Sequence, residues 1–407
     1  MKKIIGILLA GALVTSAFAA DFSARVNLAA EVIGGTIKTD NSADAEFHAL
    51  KFANNDQKDG DLIEAHFSGD MAGADFKIWA KAVEPSSYYF NNGEGNFKVG
   101  GQYGTNMNIL SLRGLGLWFK PVDMLKINVG YVTYGTFCEH TGYWKAVPGQ
   151  AINADDWGGY SSYATVDGFG AMVTFNPIAG LEFNAGVTPG GDNSFFTVQG
   201  SNNNTSAWGA AVKADLNALA EIPVVAAVSL RDAGKDAAKI LAIGASYGQE
   251  YSGLFYGFIN ARLKFEKMGA DFAMTTVTLD NWFKFTVDKL GIQLAVPVVL
   301  RTYTAEGVTA EAKNLADPHW MLARLKVTYN MGAFTPYLFA ETTRLAFNEK
   351  LGESFGILVK PGVSFNVGSC ALDIAASFGI NRGIADGVAV AKDTLTWAIP
   401  VTCSVSF

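Results

Sequence analysis

The chain has 407 residues, a formal net charge of −7, 49% hydrophobic residues and 44 glycines, with a mean hydropathy of +0.17. The acidic balance excludes the basic footprint of a nucleic-acid binder, and three cysteines, an odd number, exclude a fully paired disulfide framework. Beyond residues 4–14 no apolar run reaches the ~20 residues of a membrane-crossing helix, so a membrane-embedded form has to cross by strands.

The first predicted element is an export leader. Lys2 and Lys3 form a positive start, residues 4–14 an apolar run, and Ala17-Phe18-Ala19 the small-x-small pattern read by signal peptidase. Cleavage after Ala19 is expected, leaving 20–407 as one domain that no low-complexity linker divides. The run is too short for a retained helix. Removing it takes Lys2 and Lys3 away and makes the mature chain more acidic.

From Phe22 the hydrophobic pattern has a period of two. Phe22, Ala24, Val26, Leu28, Ala30 and Val32 share one face, and Ser23, Arg25, Asn27, Ala29 and Glu31 the other, because successive strand side chains point to opposite sides. Ile63, Ala65 and Phe67 alternate with Glu64, His66, Ser68 and Asp70. Phe76, Ile78, Ala80 and Ala82 alternate with Asp75, Lys77, Trp79 and Lys81, and Met71-Ala72-Gly73 reads as the turn between these runs. Further strands are predicted over 125–133, 208–216, 224–231, 292–301, 321–329, 355–367 and 370–378. Between residues 240 and 288 several apolar runs occur whose turns the pattern does not place. Segments 34–60, 84–108, 138–167 and 189–205 are rich in Gly, Asn, Asp and Tyr and read as long connections.

An internal repeat supports hairpins. Phe119-Lys-Pro121-Val-Asp-Met-Leu125-Lys-Ile127-Asn128-Val-Gly130 matches Phe175-Asn-Pro177-Ile-Ala-Gly-Leu181-Glu-Phe183-Asn184-Ala-Gly186 at an offset of 56 residues. Each half is a strand end, a tight turn holding Pro with its preset φ, and a new alternating strand. The offset spans two strands, one short turn and one long loop, an asymmetry found in outer-membrane barrels.

The last segment alternates to the C-terminus. Leu395, Trp397, Ile399, Val401, Cys403, Val405 and Phe407 lie opposite Thr394, Thr396, Ala398, Pro400, Thr402, Ser404 and Ser406. A bulge is expected at Pro400, which has no ladder donor. The edge strand of a soluble sandwich would show the same alternation. Combined with the leader and the terminal aromatic, however, the segment resembles the insertion signal that bacterial outer-membrane proteins present to their barrel-assembly machinery, with Trp397, Val401, Val405 and Phe407 carrying it.

In hydrocarbon every backbone polar group must be paired within the protein, which only helices and closed barrels achieve. The expected fold is therefore all-β: a transmembrane antiparallel up-and-down β-barrel of about eighteen strands, within a range of sixteen to twenty, with short periplasmic turns and long extracellular loops. The layout resembles a general bacterial porin, and its size and turns look like those of spirochaete (treponeme-type) outer-membrane proteins. The resemblance implies passive diffusion of ions and small hydrophilic solutes, with outer-membrane lipid and the assembly machinery as partners, homo-oligomerisation, and no cofactor.

The rows expected to face the pore carry Arg25, Glu31, Glu64, Asp75, Lys77, Lys81, Lys126, Arg231, Arg262, Arg301, Arg324 and Lys326, together with Asp70, Glu182 and Asp373. They form either a charged channel wall or an inert solvated lining whose charges cancel. Basic groups outnumber acidic ones, so a weak anion preference is expected. His66-Phe67-Ser68 is similar to the His-x-Ser of outer-membrane phospholipase, but no third, orienting residue is evident and the pair falls on the wrong face for that chemistry. The four His, at 48, 66, 140 and 319, are too scattered for a metal site, and the three Cys read as ordinary small side chains. Strand character at Phe22 leaves no room for the plug of TonB-dependent receptors or the N-terminal hatch of fatty-acid transporters. The competing reading is a structural or adhesin barrel with a closed lumen and loop-mediated binding.

Overall fold

The computed structural model describes residues 19–38, 46–52, 61–80, 110–132, 168–188, 207–232, 239–251, 253–268, 272–305, 320–343, 345–346, 355–382 and 393–406. β1 (Ala19–Lys38) is long enough to be met by two segments of the next stave. β2 (Glu46–Phe52) pairs with its far half and β3 (Asp61–Ser68) with its near half. The wall continues, antiparallel throughout, with β4 (Ala72–Ala80), β5 (Leu110–Val122), β6 (Leu125–Val132), β7 (Gly168–Ile178), β8 (Leu181–Thr188), β9 (Ala207–Asp215), β10 (Val224–Asp232), β11 (Lys239–Tyr251), β12 (Phe255–Met268) and β13 (Phe272–Val287). Broken staves follow: β14 (Leu290–Ala295) with β15 (Val298–Ala305), β16 (Trp320–Met321) with β17 (Arg324–Tyr329), and β18 (Phe334–Thr342) with β19 (Leu345–Ala346). The continuous β20 (Ile357–Val367), the broken pair β21 (Cys370–Ala375) and β22 (Ser377–Ile380), and β23 (Thr394–Ser406) complete the wall.

β23 pairs back onto β1, from Arg25↔Ser406 to Lys38↔Thr394, and closes the ring. Twenty-three segments make eighteen staves among the described residues, because in five places two consecutive segments share the same neighbours. The stretch 240–288, where the pattern left turns unplaced, is three long strands, β11 to β13, with a tight turn at Gly253-Leu254. Two other expectations are corrected. The predicted connection from residue 34 to 60 contains the end of β1 and all of β2, because the wall is taller there than the alternating run suggested. The turn placed at Met71-Ala72-Gly73 lies one to two residues earlier, since Ala72 already pairs with Phe119 in β5 and Asp70 sits exposed in the turn rather than in a strand row.

One end of the ring carries tight connections. Those at Asp123-Met124 and Ala179-Gly180 fall in the two halves of the repeat, and each follows a register shift, at Phe119/Val122 and Phe175/Ile178. The repeat thus encodes one bulged hairpin twice, with Pro121 and Pro177 inside the bulge where no ladder donor is required. At Pro400 the predicted irregularity appears in its partner: β1 shifts register between Glu31 and Gly34. The same end holds α1 (Leu216–Ala220), a five-residue helix where alternation predicts strand as far as Leu216. The Asp215 carboxylate caps it, accepting from Asn217 N at 3.0 Å and Ala218 N at 3.4 Å.

The two faces of the wall differ in kind. Leu117, Val129, Ile178, Val228, Leu338, Phe378 and Val367, the last 71% exposed, lie on the outer face. A continuous apolar band of this kind is unstable in water and stable in lipid. Near the tight-turn end, outward rings pair as Phe175–Phe183, Phe255–Phe285 and Phe334–Phe365, an interfacial aromatic girdle. No described helix is long and apolar enough to cross a membrane, and the spanning elements are strands.

The breaks in the later staves leave backbone groups off the ladder, and side chains or neighbouring backbone groups take them up. At Val296-Pro297, between β14 and β15, Asn281 reaches across from β13. Its amide donates to Val296 O at 2.6 Å and its carbonyl accepts from Val296 N at 2.8 Å. Thr342 Oγ1 accepts from Ala323 N, Thr343 Oγ1 accepts from Gly356 N, and Ala376 N donates to Pro361 O. Each repair answers the requirement that backbone at membrane depth be satisfied internally.

Candidate functional site

The inner face of the ring is the candidate site. Glu64 in β3 lies opposite Lys77 in β4 and is half-buried. Lys126, on the inward row of β6, places its ammonium 4.8 Å from the centre of the Trp118 ring of β5, and Lys120 lies 5.5 Å from the same ring. That ring lies flat over Gly73, where any Cβ would collide with it. Glu182 accepts from Asn184 Nδ2 at 2.7 Å, and Asn184 in turn accepts from Thr174 Oγ1. Tyr256 and Trp282, with ring centres 5.4 Å apart, line a small cleft with Lys284 close to the tight-turn end.

Arg25, Glu31, Lys77, Arg231, Arg262 and Arg301 are placed by backbone register, and their side chains lie outside the described residues. Arg25 is opposite Ser406, Glu31 opposite Pro400, Arg231 opposite Ile240, Arg262 opposite Thr278 and Arg301 opposite Thr276. Lys81, Ala17 and Phe407 lie outside the described residues altogether. Ala19 begins β1, opposite Ser68. Trp397 packs 6.0 Å from Phe47 across the seam region, while Val401 and Val405 pair with Ala30 and Val26 on the closing strand.

Among the described side chains, a dense charge cluster lies where the staves break. Arg324 opens β17, opposite Glu341 near the end of β18. Arg324 holds one oxygen of the Glu341 carboxylate and Arg382, just beyond β22, holds the other. Glu341 is 1% exposed and Arg382 0%. A buried carboxylate shared by two guanidiniums is neutralised and retains net positive charge around it. One layer nearer the tight-turn end, Asp373 of β21 accepts from Tyr337 Oη and from Ser364 Oγ, both at 2.8 Å. Lys326 lies 5.1 Å from the Tyr337 ring, and Lys360 is buried on the adjacent β20, opposite Phe339. These two layers bring together Arg324, Arg382, Lys326 and Lys360 with Glu341 and Asp373 among them.

Of this cluster, alternation singled out Arg324, Lys326 and Asp373. Glu341, Lys360 and Arg382 were missed. Glu341 and Lys360 sit at inward positions of strands whose register could be read, so the period-two signal was present. Arg382 follows Asn381, which has φ of +53° and ends the pattern, and no local signal points it inward. His66, on the inner face, donates from Nδ1 to Asp75 Oδ1 at 2.7 Å. The structure thus supplies a carboxylate partner for His66 that sequence did not reveal, while among the described residues no hydrogen bond joins Ser68 to His66. No group of three or more metal-ligating side chains occurs among the described residues.

No family model matches the chain, and no curated protein matches it. Its fold is that of bacterial outer-membrane porins. It is similar to OccK9 (OpdG) of Pseudomonas aeruginosa, with a TM-score of 0.52 at 10% identity, covering 95% of this chain and 98% of that one. OccAB4 of Acinetobacter baumannii matches with a TM-score of 0.50 at 8% identity, over 95% and 98% of the two chains. A BenF-like porin from Pseudomonas fluorescens Pf-5 matches with a TM-score of 0.50 at 10% identity, over 96% and 98%.

Proposed function

We propose that the chain is an outer-membrane porin that passes ions and small hydrophilic solutes by passive diffusion, with anions favoured. The observation that carries the reading is the closed eighteen-stave ring, apolar outside and polar within. A ring of that size leaves room for an aqueous channel, and its outer surface is at home only in a bilayer. Anion preference follows from the inner wall, where Arg324, Arg382, Lys326 and Lys360 outweigh Glu341 and Asp373. OpdK of Pseudomonas aeruginosa, similar in fold at a TM-score of 0.50, has been crystallised with vanillate. Vanillate is an aromatic carboxylate, so small carboxylates are the first solutes to test.

The expected pore lining remains the set named from the sequence, with Glu341, Lys360 and Arg382 added. The leader is proposed to be cut after Ala19, at the edge of β1, and Trp397, Val401, Val405 and Phe407 to be read by the assembly machinery. Deleting Phe407 should then sharply reduce folded protein in the outer membrane, and mass spectrometry of the mature N-terminus should begin at Ala20. Homo-oligomerisation is proposed by resemblance alone.

The test of function is single-channel recording in a planar bilayer under a salt gradient. Stable conductance steps with a reversal potential on the anion side support the porin. A folded barrel without conductance would replace it with the second reading, a structural or adhesin barrel. The observation favouring that alternative is the fully buried inner patch of Phe339, Leu358, Glu341 and Arg382, which fits a lumen filled along one wall.

A further inference from the structure

Cys370 and Cys403 are separated by much of the last hairpin in sequence, yet the structure brings them together. Cys370 is the first residue of β21, directly after the Gly368-Ser369 turn, and pairs with Val405. Cys403 pairs with Leu372. The two cysteines are therefore diagonal neighbours on one face of adjacent strands, the outward one that also carries Leu372 and Ile374. Their sulfurs lie 3.9 Å apart and both are free and half-buried. No third ligating side chain completes a metal site around them among the described residues. They sit at the tight-turn rim of the wall, next to the β1–β23 seam: Val405, the partner of Cys370, is also the partner of Val26.

We propose that Cys370 and Cys403 are a disulfide-forming pair that staples the penultimate stave to the last one beside the closing seam. The proposal rests on the outer-membrane reading only for its setting, because disulfides persist on the oxidising side of the inner membrane. The oxidant is a disulfide donor, either a thiol–disulfide oxidoreductase or oxidised glutathione. One cysteine thiolate attacks a donor sulfur, giving a mixed disulfide and releasing the donor's first thiol. The second thiolate then displaces the donor's remaining thiol and forms the Cys370–Cys403 bond. The donor disulfide is reduced to two thiols, which take up the two protons lost by the cysteines. The sulfurs have to close from 3.9 Å to a bonded separation of about 2 Å. Cys370 lies at a strand end behind the Gly368-Ser369 turn, where Gly368 has φ of +58°. The staple would resist unzipping of the barrel from its last hairpin.

The test uses the full mature chain refolded in detergent, with heat-modifiable migration as proof of folding. The folded barrel is exposed to oxidised glutathione, denatured, and alkylated with a maleimide polymer that shifts the gel band once per free thiol. The proposal expects one labelled thiol, Cys138, and three after reduction, with mass spectrometry showing a linked peptide pair that contains residues 370 and 403. Cys370→Ser and Cys403→Ser should each raise the labelled count on the oxidised barrel or retain a glutathione adduct on the remaining partner. Three labelled thiols on the folded, oxidised wild-type chain would overturn it, as would a bond that uses Cys138 or joins two chains. The Cys370→Ser/Cys403→Ser double variant is expected to fold and to conduct as wild type does. Loss of the linked peptide therefore reports on the staple, whereas loss of conductance in every variant reports on the channel.

Discussion

Individual side chains bear on this wall most heavily where they replace something the backbone or a neighbour lacks. Glu341 is the anion shared by two buried guanidiniums, so Glu341→Ala leaves Arg324 and Arg382 facing one another without it. The expected cost is about 3–5 kcal/mol, read as a lower urea midpoint for the refolded barrel with folded and unfolded bands separated by electrophoresis. Asn281 performs a smaller task on the outer face, standing in for a strand partner at Val296. Asn281→Ala orphans an N–H and a C=O at membrane depth and should cost about 1–3 kcal/mol on the same assay, while Leu279, one turn of the pleat away, tolerates exchange for Ile. Gly362 is required by its neighbour: a Cβ there would collide with the Tyr337 ring. Gly362→Val should displace Tyr337, break its bond to Asp373 and destabilise by about 1–3 kcal/mol.

Single elements show how much of the wall was readable in advance. The two halves of the repeat, 56 residues apart, predicted two equivalent hairpins, and the structure gives both the same bulge and the same tight turn. Local chemistry sufficed because Pro and the alternating run on each side determine a hairpin within a dozen residues. The helix α1 was not legible, since Leu216-Asn217-Ala218-Leu219-Ala220 continues an apolar stretch and only its cap and packing separate it from β9. Asp215 both caps α1 and donates its N–H to Gly180 O at 2.7 Å, joining the helix to the neighbouring turn. Asp215→Ala should cost about 1 kcal/mol through the lost cap, and Gly180→Val more, because φ there is +84° and a Cβ would meet Asp215 O and Ala218.

For the molecule as a whole the decisive event is closure. The ladder β23–β1 buries the edges that an open sheet would present, and the outer apolar band then has a single solvent that suits it. Pairing of the later staves assembles the electrostatic wall, because Arg324, Glu341 and Arg382 come from three different staves or their ends. If the channel reading holds, Lys326→Glu should move the reversal potential toward cations without abolishing conductance, since Lys326 stands at the wall rather than in the buried triad. An unchanged reversal potential would show that this layer lies away from the conducting path.

Alternation was enough to specify strands, their faces, a count of about eighteen and the outward apolar band, because side chains on a strand obey a strict period of two whatever the strand pairs with. The same rule located Arg324, Lys326 and Asp373 on the inner rows. It was blind at other departures from regularity: the breaks at Pro297, Ala323 and Ala376, the short helix, the entry of Arg382, and the meeting of Cys370 with Cys403. Those features depend on register between strands, and register is a relation between distant parts of the chain. A single sequence carries the period of each strand, but only the closed ring determines which residue stands opposite which.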